Sequence, residues 1–187
     1  DIDWSKAKRP LRFAFFDGEE VGYLGSSKFL RDVTQPFSCS KKGDGNICLE
    51  PYRLDFGFQN VSPEDFGTVI EIKSVANAEA LYIHTNQNKR DFGKTLETPA
   101  TQDTFAVEMA DENLPGVPPS SVNTFIKKFP DIDHAVLTSY KGKFPSNNRY
   151  GSPSDVIYNV DSVTKSSQTL VKVLYNLCGI DSAINPL

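Results

Sequence analysis

The chain has 187 residues, 39% of them hydrophobic and 24% charged, which is enough for one globular domain with a sizeable core and too apolar for a disordered chain. Net charge is −4 with Lys and Arg scattered, which argues against a nucleic-acid-binding surface. No apolar run approaches the ~20 residues of a membrane span.

Residues 1–10 are polar and do not read as a secretory signal. A run of bulky residues, LRFAFF at 11–16, follows at once and predicts a buried strand. Such a strand needs partners, so the chain reads as a segment of a longer polypeptide. The chain then turns through Gly18 and becomes helical, with Leu24, Phe29, Leu30 and Val33 as an apolar face and Thr34-Gln35-Pro36 as its stop. Residues 34–66 read as loop. Strands are expected at 68–75 (TVIEIKSV) and 79–85 (EALYIHT), and a long polar, Pro-rich excursion at 86–119. PPSSVNTFIKKF opens a helix with Ser120 or Ser121 as N-cap, HAVLTSY is a fourth strand, and VDSVTKSSQTLVKVLYNLCG closes the chain as an amphipathic helix capped by Gly179. Strands alternating with helices predict an α/β fold with a mainly parallel sheet flanked by helices.

Three cysteines are present: Cys39, Cys48 and Cys178. Cys39 and Cys48 bracket the Gly-rich loop SKKGDGNI. They are either a local disulfide of an extracellular protein or two free thiols of a cytosolic one. No second Cys or His pair accompanies them, which disfavours a metal site.

The chemistry is expected just beyond the carboxyl end of a strand, where open α/β sheets collect ligands. Glu19 and Glu20 stand there. Adjacent carboxylates can divide labour on a metal, one as ligand and one as base toward metal-bound water. They can equally be two anions favoured by a helix N-terminus, with no chemistry at all. Ser26 and Ser27 read as ordinary helix residues, since no histidine is placed to activate them.

The stretch LRFAFFDGEEVGYLGSSKFL resembles the strand–Glu–Glu–helix signature of zinc aminopeptidases with two co-catalytic metal ions. The resemblance puts the general base at Glu19 and a zinc ligand at Glu20. The later ligands do not follow. The position of the next ligand, an Asp in that family, falls on Lys73, and that of the last, a His, falls on Gly151. A protonated Lys offers a metal no lone pair. His84 and His134, the two histidines, sit inside expected strands. The pattern is similar to the nicastrin family, aminopeptidase-like ectodomains of γ-secretase that lack the metals. EDFGTVIEIKSVANAEALYIHT, GVPPSSVNTFIKKF and YKGKFPSNNRYGSPSDV resemble successive nicastrin segments in the same order, while Gly22 replaces an Asp of the family motif.

The resemblance implies an aminopeptidase-like three-layer sandwich, with residues 1–187 as the C-terminal part of a degenerate large lobe. It implies a non-catalytic subunit without cofactor, anchored in a membrane through a segment outside this chain and facing the extracellular or luminal side. It implies two kinds of partner: the other subunits of a presenilin-containing protease complex and the N-terminal ends of type I membrane-protein substrates. Glu19, Glu20 and Tyr23 would line the substrate pocket. Cys39 and Cys48 would form a disulfide, and Asn60, in the sequon NVS, would carry a glycan. The other readings are an active zinc aminopeptidase with relocated ligands, resting on the Glu pair alone, and an assembly module with no pocket function.

Overall fold

The structure is a computed structural model that describes residues 8, 10–35, 38–45, 47–53, 61–144, 154, 156 and 158–179. In chain order, a 3-10 turn at Glu19–Val21 leads into helix α1, Leu24–Thr34. Strands β1 (Lys41–Lys42), β2 (Cys48–Glu50) and β3 (Tyr52–Arg53) form a small antiparallel sheet. The Cys39–Cys48 disulfide staples it, with a Cα–Cα separation of 5.8 Å.

The main sheet follows: β4 (Thr68–Ile72), β5 (Leu81–His84), helix α2 (Arg90–Lys94), β6 (Val107–Met109), helix α3 (Val122–Lys128), β7 (Asp133–Thr138) and helix α4 (Val160–Cys178). Its strand order is β4-β7-β5-β6. β4 and β7 run parallel, with Thr68 opposite Asp133 and Ile72 opposite Leu137. β5 is antiparallel to β7 and parallel to β6. The expected class, α/β with a mainly parallel sheet, is borne out.

Two apolar layers cover the sheet. Neighbouring strand residues face opposite ways, and Val69 and Ile70 divide accordingly. Ile70 joins Leu81, Ile83, Val107, Ala135 and Leu137 beneath Val173 of α4. Val69 joins Phe16, Phe66, Phe129 and Ile132 around Leu30 of α1 and Phe125 of α3. The buried stripe of α4 is partly hydroxylic. Ser162 donates to the Ala78 carbonyl at 2.8 Å, and Thr169 accepts the Phe105 amide at 2.9 Å. Asn159 caps the helix by accepting from the Ser162 amide, and Gly179, at φ 63°, ends it as expected.

Three segments differ from their expectation, one being 34–66, expected as loop, which contains β1, β2 and β3 because the hairpins there are too short to show a strand pattern. Residues 11–16 form no strand, and Phe13 and Phe15 are 71% and 95% exposed. Hydrophobicity marks a wish for burial, but a strand exists only where a neighbour supplies hydrogen bonds. No described strand does so; Leu11 packs against Tyr175 and Cys178, and Phe16 is tilted against Phe29 and Phe125. The excursion at 86–119 contains α2 and β6, each too short to show a period.

Candidate functional site

Gly18 and Gly22 flank the Glu19–Val21 turn with left-handed backbones, φ 71° and 81°. Tyr23, at the N-cap position of α1, is also left-handed at φ 58°. The chain thereby doubles back and sets the Glu19 side chain over the first turn of α1. Gly25 makes this approach possible: a Cβ there would lie 2.5 Å from the Asp17 carbonyl oxygen and 3.0 Å from Glu19 Oε1.

Both oxygens of Glu19 are engaged. The Ser26 amide donates to Oε1 at 2.8 Å and the Ser26 hydroxyl to Oε2 at 2.7 Å. The Ser121 hydroxyl donates to Oε2 at 2.5 Å from 102 positions along the chain. Burial works against ionisation, but the hydrogen bonds from Ser121, Ser26 and the Gly25 amide outweigh it and hold the carboxyl below the usual carboxylate range. Ser121 was expected as a helix cap. It occupies the N-cap position of α3 but makes no side-chain cap, because its hydroxyl serves Glu19.

A second carboxylate comes from β4. Glu71, half-buried, accepts the Val122 amide on Oε2 at 3.0 Å. Burial pushes its carboxyl up. The Val122 and Ser121 amides and the Lys73 charge offset this in part, and the Glu19 charge adds to it. Lys73, just past β4, donates to the Pro119 carbonyl at 2.8 Å. Glu19, Glu71 and Lys73 thus all converge on the bend at residues 119–122 that opens α3. Ser120, in the middle of that bend, is fully buried, and its hydroxyl finds no partner among the described residues.

Of the residues expected at the site, Glu19 is at its centre, Tyr23 is half-buried at the start of α1, and Glu20 is exposed. Asn60 and Gly151 lie outside the described residues. The two histidines are fixed in the sheet. His84 Nε2 meets Thr138 Oγ1 and the Tyr140 carbonyl, both at 2.9 Å, and His134 Nδ1 meets the Ile132 carbonyl at 2.9 Å. Burial pushes both imidazoles down.

The donor set does not suit zinc. The Glu19 oxygens already face three donors, and an ammonium stands at the Lys73 position. Among the described residues no group of three or more His, Cys, Asp or Glu is arranged to hold a metal.

Sequence reasoning missed Glu71, Ser26 and Ser121. For Glu71 a signal existed: strand alternation puts Glu71 and Lys73 on the same face as core-forming Val69. For Ser121 none did, since its acceptor is remote in sequence.

The fold and site define a three-layer α/β lobe in which two carboxylates and a lysine meet at one bend. The chain belongs to the Nicastrin large lobe family, which matches residues 2–177. The resemblance read from the motifs is therefore borne out. Nicastrin of Dictyostelium purpureum is 28% identical over 171 residues, which are 85% of this chain and 26% of that protein. Nicastrin of Arabidopsis thaliana is 28% identical over 186 residues, 92% of this chain and 25% of that protein. The chain thus spans about a quarter of the length of these relatives. A solved structure, "Crystal structure of the gamma-secretase component Nicastrin", matches with a TM-score of 0.67 at 24% identity, covering 95% of this chain and 32% of that one. At that identity the likeness speaks to the fold.

Proposed function

We propose that this domain is a non-catalytic, pseudo-aminopeptidase lobe of a γ-secretase-type complex, whose pocket at Glu19, Glu20 and Tyr23 receives the free amino terminus of membrane-protein substrates. The observation that carries this reading is a Glu19 carboxylate held ionised by Ser26 and Ser121 while an ammonium stands where a metal ligand would be needed. Such an anion is fixed in place by its hydrogen bonds. It can attract and orient an ammonium through charge-assisted hydrogen bonds. The partners would be the other subunits of a presenilin-containing protease complex and the N-terminal ends of type I membrane-protein substrates. No described helix is long and apolar enough to cross a membrane; the resemblance puts the anchor in a segment outside this chain. The Cys39–Cys48 disulfide suits an extracellular or luminal face.

The test compares, in the assembled complex, substrates bearing a free amino terminus with their N-acetylated forms. Amine recognition requires the free form to bind more tightly. One observation favours a second reading, a steric gate: the three hydrogen bonds that occupy Glu19 also tie α1 to α3, a structural task. Equal binding of both forms would select the gate. The zinc-peptidase alternative is met by elemental analysis of protein prepared with zinc present. No bound zinc is expected, and two ions per chain with chelator-sensitive activity would overturn the non-catalytic reading.

A further inference from the structure

We propose that His134 is an acid-sensing residue, whose protonation loosens the layer that holds α1 and α3 against the sheet. The inference goes beyond amine recognition and does not depend on it.

The argument starts from the protons of the ring. A carbonyl only accepts, so the 2.9 Å contact with the Ile132 carbonyl places the proton of the neutral imidazole on Nδ1. Nε2 is then a bare acceptor. It is buried and meets no hydrogen-bond partner among the described residues. His134 itself is 0% exposed. Protonation would give Nε2 a hydrogen with no described acceptor and add a full charge, both out of reach of water, which is costly. The cost is relieved when the ring reaches solvent.

Position decides what such a movement releases. His134 lies opposite Val69 of β4, so its side chain is on the face of β7 that looks toward α1 and α3. The Ile132 carbonyl it binds belongs to the connection between α3 and β7. Ile132 and Phe129 pack in one cluster with Leu30 of α1 and Phe125 of α3. A ring that leaves this layer gives up its hold on Ile132 and opens the cluster under both helices.

The surroundings offer an imidazolium little help. Burial disfavours it, and the Ile132 carbonyl offsets this only in part. The Lys89 ammonium opposes its charge. Asp133 favours it but is already engaged by Lys89 at 3.1 Å. α2 carries Arg90, held by Glu112, and the exposed Asp91–Lys94 pair. α3 carries Lys127 and Lys128, both exposed. Glu71 of β4 and His84 of β5 are on the same face of the sheet, each opposite Val136. The folded state thus favours the neutral ring, so its contribution to stability is present above the unfolded-state pKa and lost as pH falls through the folded one.

The experiment uses the full-length protein in its complex. Amide hydrogen exchange, expressed as protection factors so that the intrinsic pH dependence cancels, is compared at about pH 7.5 and about pH 5.5, on either side of the ordinary imidazole value. In the unmodified protein, protection of α1, α3 and the start of β7 should fall on the order of tenfold in acid, while β6 and α4 keep theirs. Glu19 stays ionised at the lower pH, because its carboxyl is held below the ordinary carboxylate range. His134→Asn keeps an N–H for the Ile132 carbonyl but cannot titrate, and should show equal protection at the two pH values. His84→Gln should respond as the unmodified protein does. An acid response kept in His134→Asn, or lost in His84→Gln, would overturn the assignment to His134. No acid response in the unmodified protein would overturn the switch. Exchange of the imidazole C2 hydrogens, read by mass spectrometry, needs no variant. His134 should gain its proton over the pH interval in which protection falls, and a ring that stays neutral there would reject it as the sensor.

Discussion

The two glutamates at the bend have opposite relations to stability. The folded protein holds the Glu19 carboxyl below its ordinary range, so it contributes stability that is present above the unfolded-state pKa and lost as pH falls through the folded one. The Glu71 carboxyl is held above its ordinary range, so its contribution is fully present below the unfolded-state pKa and lost as pH rises through the folded one. Ser121→Ala, which removes one charge-assisted hydrogen bond from Glu19, is expected to cost about 1–3 kcal/mol near neutral pH. The loss should shrink in acid. Glu71→Gln is expected to stabilise the fold near neutral pH, with the gain vanishing at about pH 4. Urea unfolding at the two pH values reads both, as shifts in midpoint at unchanged slope. A destabilising Glu71→Gln would show that the carboxylate is structural. A carboxylate that costs stability is the pattern expected of a functional group.

At the level of elements, the turn before α1 is the most constrained. Gly25→Ala would drive a Cβ into the Asp17 backbone, so the turn must shift and loosen Glu19 from Ser26. Overpacking of this kind costs about 1–3 kcal/mol. Calorimetry should show Gly25→Ala well below wild type in Tm, whereas Gly67→Ala, with nothing within 4 Å, should stay close to it. In the small sheet, Cys39→Ser with Cys48→Ser should speed hydrogen exchange across β1 and β2 and leave the main sheet's protection unchanged. What was legible in the sequence follows the same scale. β5, β7 and α4 announced themselves because bulky runs and a sustained helical period coincide with burial. The Glu19 turn was legible because three chemical signals coincide there: a strand-like run, a glycine and paired acids. The site's other half was not. Ser121 looked like a cap, and its actual acceptor depends on how α3 docks against α1, which no local pattern encodes. Residues 11–16 were misread because a strand is a relation between segments, and the sequence shows only one of them.

For the molecule as a whole, β4 is one of the two outer strands of the described main sheet, and Ile72, Phe13 and Phe15 are exposed apolar residues. Unpaired strand edges and large exposed apolar side chains promote association. Residues 1–187 expressed alone are therefore expected to self-associate in light scattering, and Phe13→Ser with Phe15→Ser should shift them toward monomer. A monodisperse monomer before substitution would contradict this. The Glu19–Ser121 bond carries a different consequence, in time. Its partners are 102 residues apart. At about 5–20 residues per second of synthesis, the ribosome takes roughly 5–20 seconds to deliver Ser121 after Glu19. Until then the acid waits in water and α1 lacks its tie to α3. The Glu19–Ser121 tie is thus assembled only when the middle of the chain has been made, and no amount of local folding at the first turn can hasten it.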